Sequence, residues 1–390
     1  MNKYNLVPNI RFKGFDDKWS EKKLDNVVAV IMGQSPSSSN YHEHQVNHSM
    51  ILIQGNADIE NNKIKPRLWT TQITKETIPN DIILTVRAPV GEVAKNDFNA
   101  VLGRGVAALR GNKFLYYYLE NIKQIGYWNC ISTGSTFMSI SSDDIKEVRI
   151  SLPRCKEQKC IYNFFTKLDK LLDLQQQKID KLELLKKALL QKLFPKHDAQ
   201  IPELRFKGFE DDWQEKKLSH VVDIIMGQSP SSTNYYDTPI ENSMILIQGN
   251  ADIKHHNVKP RIWTTQITKI AIPKDVLLTV RAPVGEVAKN KYEAVIGRGM
   301  AALRGNDFLY YNLEKLKEVG YWERLSTGST FESISSNDIR DTKIKIPSCK
   351  EQKKVYNFLS KVDQLIELEN QKLQNFQQVK KCLLQNMFVE

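Results

Sequence analysis

The sequence predicts an α+β fold: two mixed, mostly β domains separated by two long helices, arranged as a pseudo-two-fold tandem repeat. Three observations carry this expectation. The chain repeats itself at one fixed offset. Each repeat opens with turn-rich, β-branched sequence. Each closes with a long stretch that lacks Gly and Pro and carries apolar residues at alternating spacings of three and four.

The repeat is the strongest of the three. Arg11-Phe12-Lys13-Gly14-Phe15 returns as Arg205-Phe206-Lys207-Gly208-Phe209, and Met32-Gly33-Gln34-Ser35-Pro36 returns as Met226-Gly227-Gln228-Ser229-Pro230. Thr85 to Gly91 returns as Thr279 to Gly285, and Ser132 to Phe137 as Ser326 to Phe331. The offset is 194 residues in every case, with no gap from Arg11 to Phe194, and about 115 of 184 aligned positions are identical. Each copy is large enough to bury its own core.

In the first part of each copy, short apolar runs such as Ser49–Ile53 and Asp81–Val86 predict strands. Turns separate them, for example Gly33–Pro36 and Ala88–Gly91. One helix is expected over Lys113–Ile125.

The second part begins after Pro153. Its apolar seam is Ile161, Phe165, Leu168, Leu172, Ile179, Leu182, Leu189 and Leu193, with Gln175 and Lys186 as polar interruptions and Leu171 and Leu185 widening the stripe. The second copy repeats it as Val355, Leu359, Val362, Ile366, Leu373, Phe376, Leu383 and Met387. An apolar stripe of this length needs a partner, and the two helices are expected to pair as an antiparallel coiled coil. The expected boundaries are residues 1–153 and 205–347 for the two globules, 154–194 and 348–390 for the helices, and 195–204 for a polar linker with two prolines.

Composition narrows the function. The net charge of +11 and pI of about 9.2 favour a polyanionic partner. No apolar run approaches a membrane span and the first residues form no secretory leader, so a cytoplasmic location is expected. Five cysteines without Cys-x-x-Cys spacing argue against a disulfide framework or a zinc site.

Catalytic motifs are missing. The sequence has no P-loop, no dinucleotide fingerprint, and neither Asn-Pro-Pro-Tyr nor Asp-Pro-Pro-Tyr. Asp81 with Glu92 and Lys95 approximates a nuclease pattern, but the interval is one residue too long. His42, His44 and His48 cluster locally, yet the second copy has Tyr236, Thr238 and Asn242 there, so a solvated loop is expected.

The order of motifs resembles the specificity subunits of type I restriction-modification systems. The residues that carry this are Pro8, Arg11, Phe12, Phe15 and Trp19 at the start, then Gly134-Ser135-Thr136, Leu152-Pro153 and Glu157-Gln158. The set recurs from Pro202 to Trp213, then as Gly328-Ser329-Thr330, Ile346-Pro347 and Glu351-Gln352. The resemblance implies two target recognition domains and no catalysis or cofactor in this chain. It also implies double-stranded DNA as ligand, two modification subunits using S-adenosylmethionine for adenine N6-methylation, and two restriction subunits using ATP and Mg. The family's targets are bipartite. The family's two recognition domains usually differ, whereas here they are near copies, so a palindromic or near-palindromic target is expected. The alternative is a stand-alone two-headed DNA-binding protein.

Residue chemistry nominates the contacts. Gln34, Gln54, Asn56 and Arg87 suit bidentate pairing with base edges. Ser35, Lys65, Lys95, Arg104 and Ser135 lie in or beside the same candidate loops, where hydroxyls and cations hold phosphates. The offset adds Gln228, Ser229, Gln248, Asn250, Lys259, Arg281, Lys289, Arg298 and Ser329.

Overall fold

The computed structural model describes residues 6–131, 138–254, 256–326 and 333–389. The chain divides into two compact units: Met1–Gln176 with Gln371–Glu390, and Gln177–Asn370. Each unit therefore contains one globule, the first part of the helix that follows it, and the last part of the other helix.

The first globule holds thirteen strands among its described residues: β1 (Ser20–Lys23), β2 (Ala29–Met32), β3 (Tyr41–His42), β4 (Met50–Ile53), β5 (Ile59–Glu60), β6 (Lys63–Ile64) and β7 (Leu68–Thr70), followed by β8 (Glu76–Thr77), β9 (Ile82–Thr85), β10 (Val93–Lys95), β11 (Ala100–Leu102), β12 (Val106–Arg110) and β13 (Arg149–Leu152). They form a six-stranded sheet in the order β2-β12-β9-β10-β6-β5, a five-stranded sheet β3-β7-β4-β11-β8, and the pair β1-β13. Pairing is antiparallel except for β4 with β11 and β6 with β10. Short helices α1 (Lys113–Gln124), α2 (Tyr127–Ile131) and α3 (Ser142–Lys146) follow β12. The second globule repeats this order, with sheets of six, five and two strands.

Both sheets bury apolar strands. In the first globule β9 reads Ile-Ile-Leu-Thr with every residue buried, and β11 is buried throughout. The α1 helix packs Phe114, Tyr117 and Leu119 into the main core with Trp19 and Trp128. Its start is capped by Asn112, whose side chain accepts from the Leu115 amide.

The long helices are α4 (Cys155–Leu193) and, in the second copy, the equivalent Cys349–Met387. Each is 39 residues, or about 58 Å at 1.5 Å per residue. In the first unit Phe165 packs against Phe388, and Asp169 pairs with Lys380. In the second unit Lys178 pairs with Glu369, and Lys186 with Asp363. Partner numbers fall as helix numbers rise, so the helix segments run antiparallel within each unit. The expected seam residues Ile161, Phe165, Ile179, Leu189 and Leu193 are buried, as are Gln175 and Lys186. Leu171 and Leu185 are not part of that buried stripe: they are 42% and 49% exposed.

The opening motif is structural. The Arg11 guanidinium donates to both carboxylate oxygens of the buried Glu157, at 2.7 and 2.8 Å, and to the Asp17 carbonyl at 2.6 Å. This bidentate pair fixes the N-terminal arm to the first turn of α4. Arg205 and Glu351 repeat it at 2.8 and 2.9 Å. Gln158 completes the junction, donating to the Pro153 carbonyl and accepting from Asn112.

Candidate nucleic-acid interface

Three strand ends and one neighbouring loop meet at one edge of the first globule. The Gly33 amide donates to the Val106 carbonyl and the Gln34 amide to Leu102, which lays the end of β2 on the β11–β12 turn. Glycine is required for the approach. A Cβ on Gly33 would lie 2.0 Å from the Gly103 carbonyl oxygen, and one on Gly105 would lie 2.2 Å from that of Gln54. The Ser35 hydroxyl accepts from the Arg104 amide at 3.1 Å. The Val86 amide donates to the Gly105 carbonyl, which brings Arg87 to the same edge.

A buried carboxylate organises the loop after β4. Asp58 accepts from the amides of Gln54 and Gly55 through Oδ2, at 2.7 and 3.1 Å, and from Arg67 Nε through Oδ1 at 3.0 Å. Asn56 stands exposed on the same turn. The structure thus brings together Gln34, Ser35, Gln54, Asn56, Arg87 and Arg104. Ser35 is committed to the turn. The side chains of Gln34, Asn56, Arg87 and Arg104 are exposed and make no hydrogen bond or ion pair among the described residues.

The second globule repeats the arrangement. Gln228 donates its amide to Ile296, Ser229 accepts from the Arg298 amide at 3.0 Å, and Asp252 gathers Gln248, Gly249 and Arg261. The Val280 amide donates to Gly299 beside Arg281. Gln228, Asn250, Arg281 and Arg298 are exposed.

Lys65 lies on the approach to this edge: its amide donates to the Asp58 carbonyl, and its ammonium sits 2.7 Å from Glu60. Lys259 has the same backbone bond, but Lys254 stands where the first copy has Glu60, so its strand offers no carboxylate. Ser135 and Ser329 lie outside the described residues.

Lys95 and Lys289 stand apart from the cluster. The expected role at a phosphate gives way to an internal one. Lys95 Nζ is 2.7 Å from Asp169 and 4.5 Å from the centre of the Tyr116 ring. Lys289 is 2.9 Å from Asp363 and 4.2 Å from Tyr310. Both are held by a carboxylate of a long helix and an aromatic face.

These lysines belong to a buried network that the sequence did not disclose. In the first unit Lys380 reaches Glu120 and Asp169, while Tyr117 donates to Asp169 at 2.7 Å. Burial alone would raise the Asp169 pKa, but Lys380 and Lys95 together outweigh it and hold the carboxyl below its usual range. Burial and the Asp169 charge push the Tyr117 phenol well upward, so it stays a donor. A polar cleft of about 580 Å³ opens beside the network. In the second unit Lys186, Glu314, Asp363 and Tyr311 take these places. Lys186 and Lys380 are 194 positions apart, and repeat symmetry was the signal that could have paired them.

The nuclease-like constellation is also committed to the fold. Asp81 pairs with Arg110 and accepts from Thr77, and Glu92 pairs with Lys123. No group of three His, Cys, Asp or Glu side chains placed to hold a metal ion occurs among the described residues, His42, His44 and His48 included. No described helix is long and apolar enough to cross a membrane.

Against known proteins, residues 16–184 and again 210–378 match the type I restriction modification DNA specificity domain. The chain belongs to that family. As a type I specificity protein it is a DNA-recognition component and not a catalyst by itself. It is 26% identical over 409 aligned residues to a Methanocaldococcus jannaschii protein named for the MjaX type I restriction enzyme specificity subunit, covering 94% of this chain and 92% of the relative. It is 28% identical over 199 residues to the MjaIX specificity subunit of the same organism, covering 46% of this chain and 44% of the relative. Two solved structures share its fold. One, from work on complex assembly and conformational transition of the type I R-M system, aligns with a TM-score of 0.62 at 23% identity, covering 96% of this chain and 98% of the other. The other, the type I restriction-modification S subunit from M. genitalium, aligns with a TM-score of 0.59 at 18% identity, covering 98% and 99%.

Proposed function

We propose that this specificity protein directs adenine N6-methylation and ATP-dependent restriction to a bipartite target with palindromic or near-palindromic half-sites. The observation that carries the reading is the duplication of the loop cluster: Gln34, Asn56, Arg87 and Arg104 in one globule, and Gln228, Asn250, Arg281 and Arg298 in the other, all exposed. Glutamine and asparagine pair bidentately with adenine, and arginine with guanine. Identical readers favour identical half-sites. The net charge of +11 supports a phosphate backbone as partner.

In this reading two modification subunits bring S-adenosylmethionine, two restriction subunits bring ATP and Mg, and the complex works in the cytoplasm. The exposed leucines Leu171, Leu174, Leu184, Leu185, Leu365 and Leu368 on the long helices are the surface offered to those subunits.

The test is single-molecule sequencing of adenine methylation in cells expressing this chain with its modification subunit. One symmetric bipartite motif, lost on deletion of this gene, is the expected result. Unrelated halves overturn the palindromic target. With both proteins assembled, no dependent motif overturns the subunit reading in favour of a stand-alone DNA binder.

A further inference from the structure

The loop between β7 and β8 carries an apolar side chain where a folded protein has least reason to keep one. Ile73 is 51% exposed and its repeat Ile267 is 55% exposed. Each is the most exposed large apolar side chain of its globule among the described residues. Other exposed apolar positions also recur across the copies, among them Val46 with Ile240 and Ile78 with Ile272, and scattered ones need no explanation. Ile73 and Ile267 stand out because no other described one in either globule is as exposed.

The loop is held in place on both sides of the isoleucine. Gln72 Oε1 accepts from the Ser37 amide at 2.7 Å and from Asn40 at 3.1 Å. Thr74 donates its hydroxyl to the Gln34 carbonyl at 2.5 Å, and the Lys75 carbonyl accepts from the Leu102 amide at 2.7 Å. The second copy repeats these bonds through Gln266, Thr268 and Lys269, at 2.7, 2.5 and 2.8 Å. The polar flanks are thus turned into the Gln34 loop, and the isoleucine between them is left in solvent beside the candidate reading residues. A pinned loop places its side chain before any ligand arrives, so little ordering is lost on contact.

We infer that Ile73 and Ile267 are specificity-determining residues that pack on the 5-methyl group of a thymine, one in each half-site. Thymine is the base that offers an apolar group in the major groove, and an aliphatic side chain cannot satisfy the polar edges of the others. The inference rests on the DNA-reading role of the loop cluster. It adds one A·T pair at the same place in both halves.

The experiment is selection from a randomised duplex pool by the full chain, alone and with its modification subunit. Wild type is compared with Ile73→Ser and Ile267→Ser, exposed changes that leave the fold intact. The expected result is a motif in which each variant loses the preference for thymine at one position of one half-site. Replacing that thymine with uracil, which lacks the methyl group, then weakens wild-type binding roughly fourfold, the worth of about one buried methyl, and leaves the matching variant unaffected. Motifs identical for wild type and both variants overturn the inference while leaving the DNA-reading role standing. Failure of wild type to select any motif, in either form, overturns that role and the inference with it.

Discussion

Lys380 Nζ lies 2.8 Å from Asp169 Oδ1, joining the last part of the second long helix to α4, with both side chains largely buried. The same ammonium is 3.0 Å from Glu120 on α1, so three elements share one cation. Such a pair adds little net stability over an apolar equivalent, but removing one partner strands the others.

Lys380→Ala is therefore expected to destabilise the first unit by about 3–5 kcal/mol, because Glu120 and Asp169 stay buried without their cation. The double change Lys380→Met with Glu120→Gln recovers part of this loss, since Lys95 still faces Asp169. Hydrogen exchange resolved by peptide checks the localisation. Loosening confined to the first unit is expected, with Lys186→Ala doing the same to the second. Equal effects on both units, or none, would refute the role of the network.

The same groups set a pH window. Asp169 and Asp363 are depressed, so their contribution is present above the unfolded carboxylate value of about 4 and is lost as pH falls through the lower folded value. Burial opposes the charge of Lys186 and Lys380, yet the facing carboxylates win and raise both. Their contribution is present below about pH 10.4 and lost as pH rises through the folded value. Denaturation midpoints are thus expected to be insensitive to these groups between about pH 5 and 9. A sigmoidal loss near neutrality that disappears in Lys380→Ala would contradict this.

Arg104→Ala and Gln34→Ala should leave stability within about 0.5 kcal/mol of wild type, because both side chains are exposed and unbonded among the described residues. DNA binding should fall by about 1–3 kcal/mol for a base contact. Competition with non-specific DNA separates two roles: a base-reading residue changes the preference, while a phosphate contact weakens all sequences alike.

Gly33→Ala is expected to cost stability and DNA binding together, since its methyl would meet the Gly103 carbonyl at 2.0 Å and no flexible side chain is there to yield. Gly227→Ala, with 2.1 Å to Gly297, should do the same in the other globule. A variant that unfolds no more easily and reads the same motif would show that the three strand ends need not approach so closely.

The parts legible in the sequence were those with a period. The long helices follow from 3–4 spacing, with Gln175 and Lys186 as its only polar positions in the first copy, over a stretch without Gly or Pro, and Lys113–Gln124 follows from its apolar face. The four two-residue strands described in each copy left no such signal, because pairing at one or two positions imposes no alternation. Charge was least legible. Lys95 reads as a phosphate ligand until Asp169, 74 positions away, is seen to face it, and Lys186 reads as a flaw in the seam until Glu314 and Asp363 are placed beside it. Ile73 was missed because a lone isoleucine between Gln72 and Thr74 sets no period; its 51% exposure, together with the hydrogen bonds of its neighbours, shows that it faces outward.

The core of the first globule contains Leu384, Met387, Phe388 and Val389, with Phe388 set among Trp19, Phe114, Tyr118 and Phe165. The second globule instead takes in Leu189, Leu190, Leu193 and Phe194, which precede it in the chain. On a ribosome adding about 5–20 residues per second, the first globule waits roughly 10–40 s for its missing wall, whereas the second emerges with its own already made. The domain synthesised first is thus the one completed last, and a message cut short just before Leu384 releases a protein whose defect lies in the first globule.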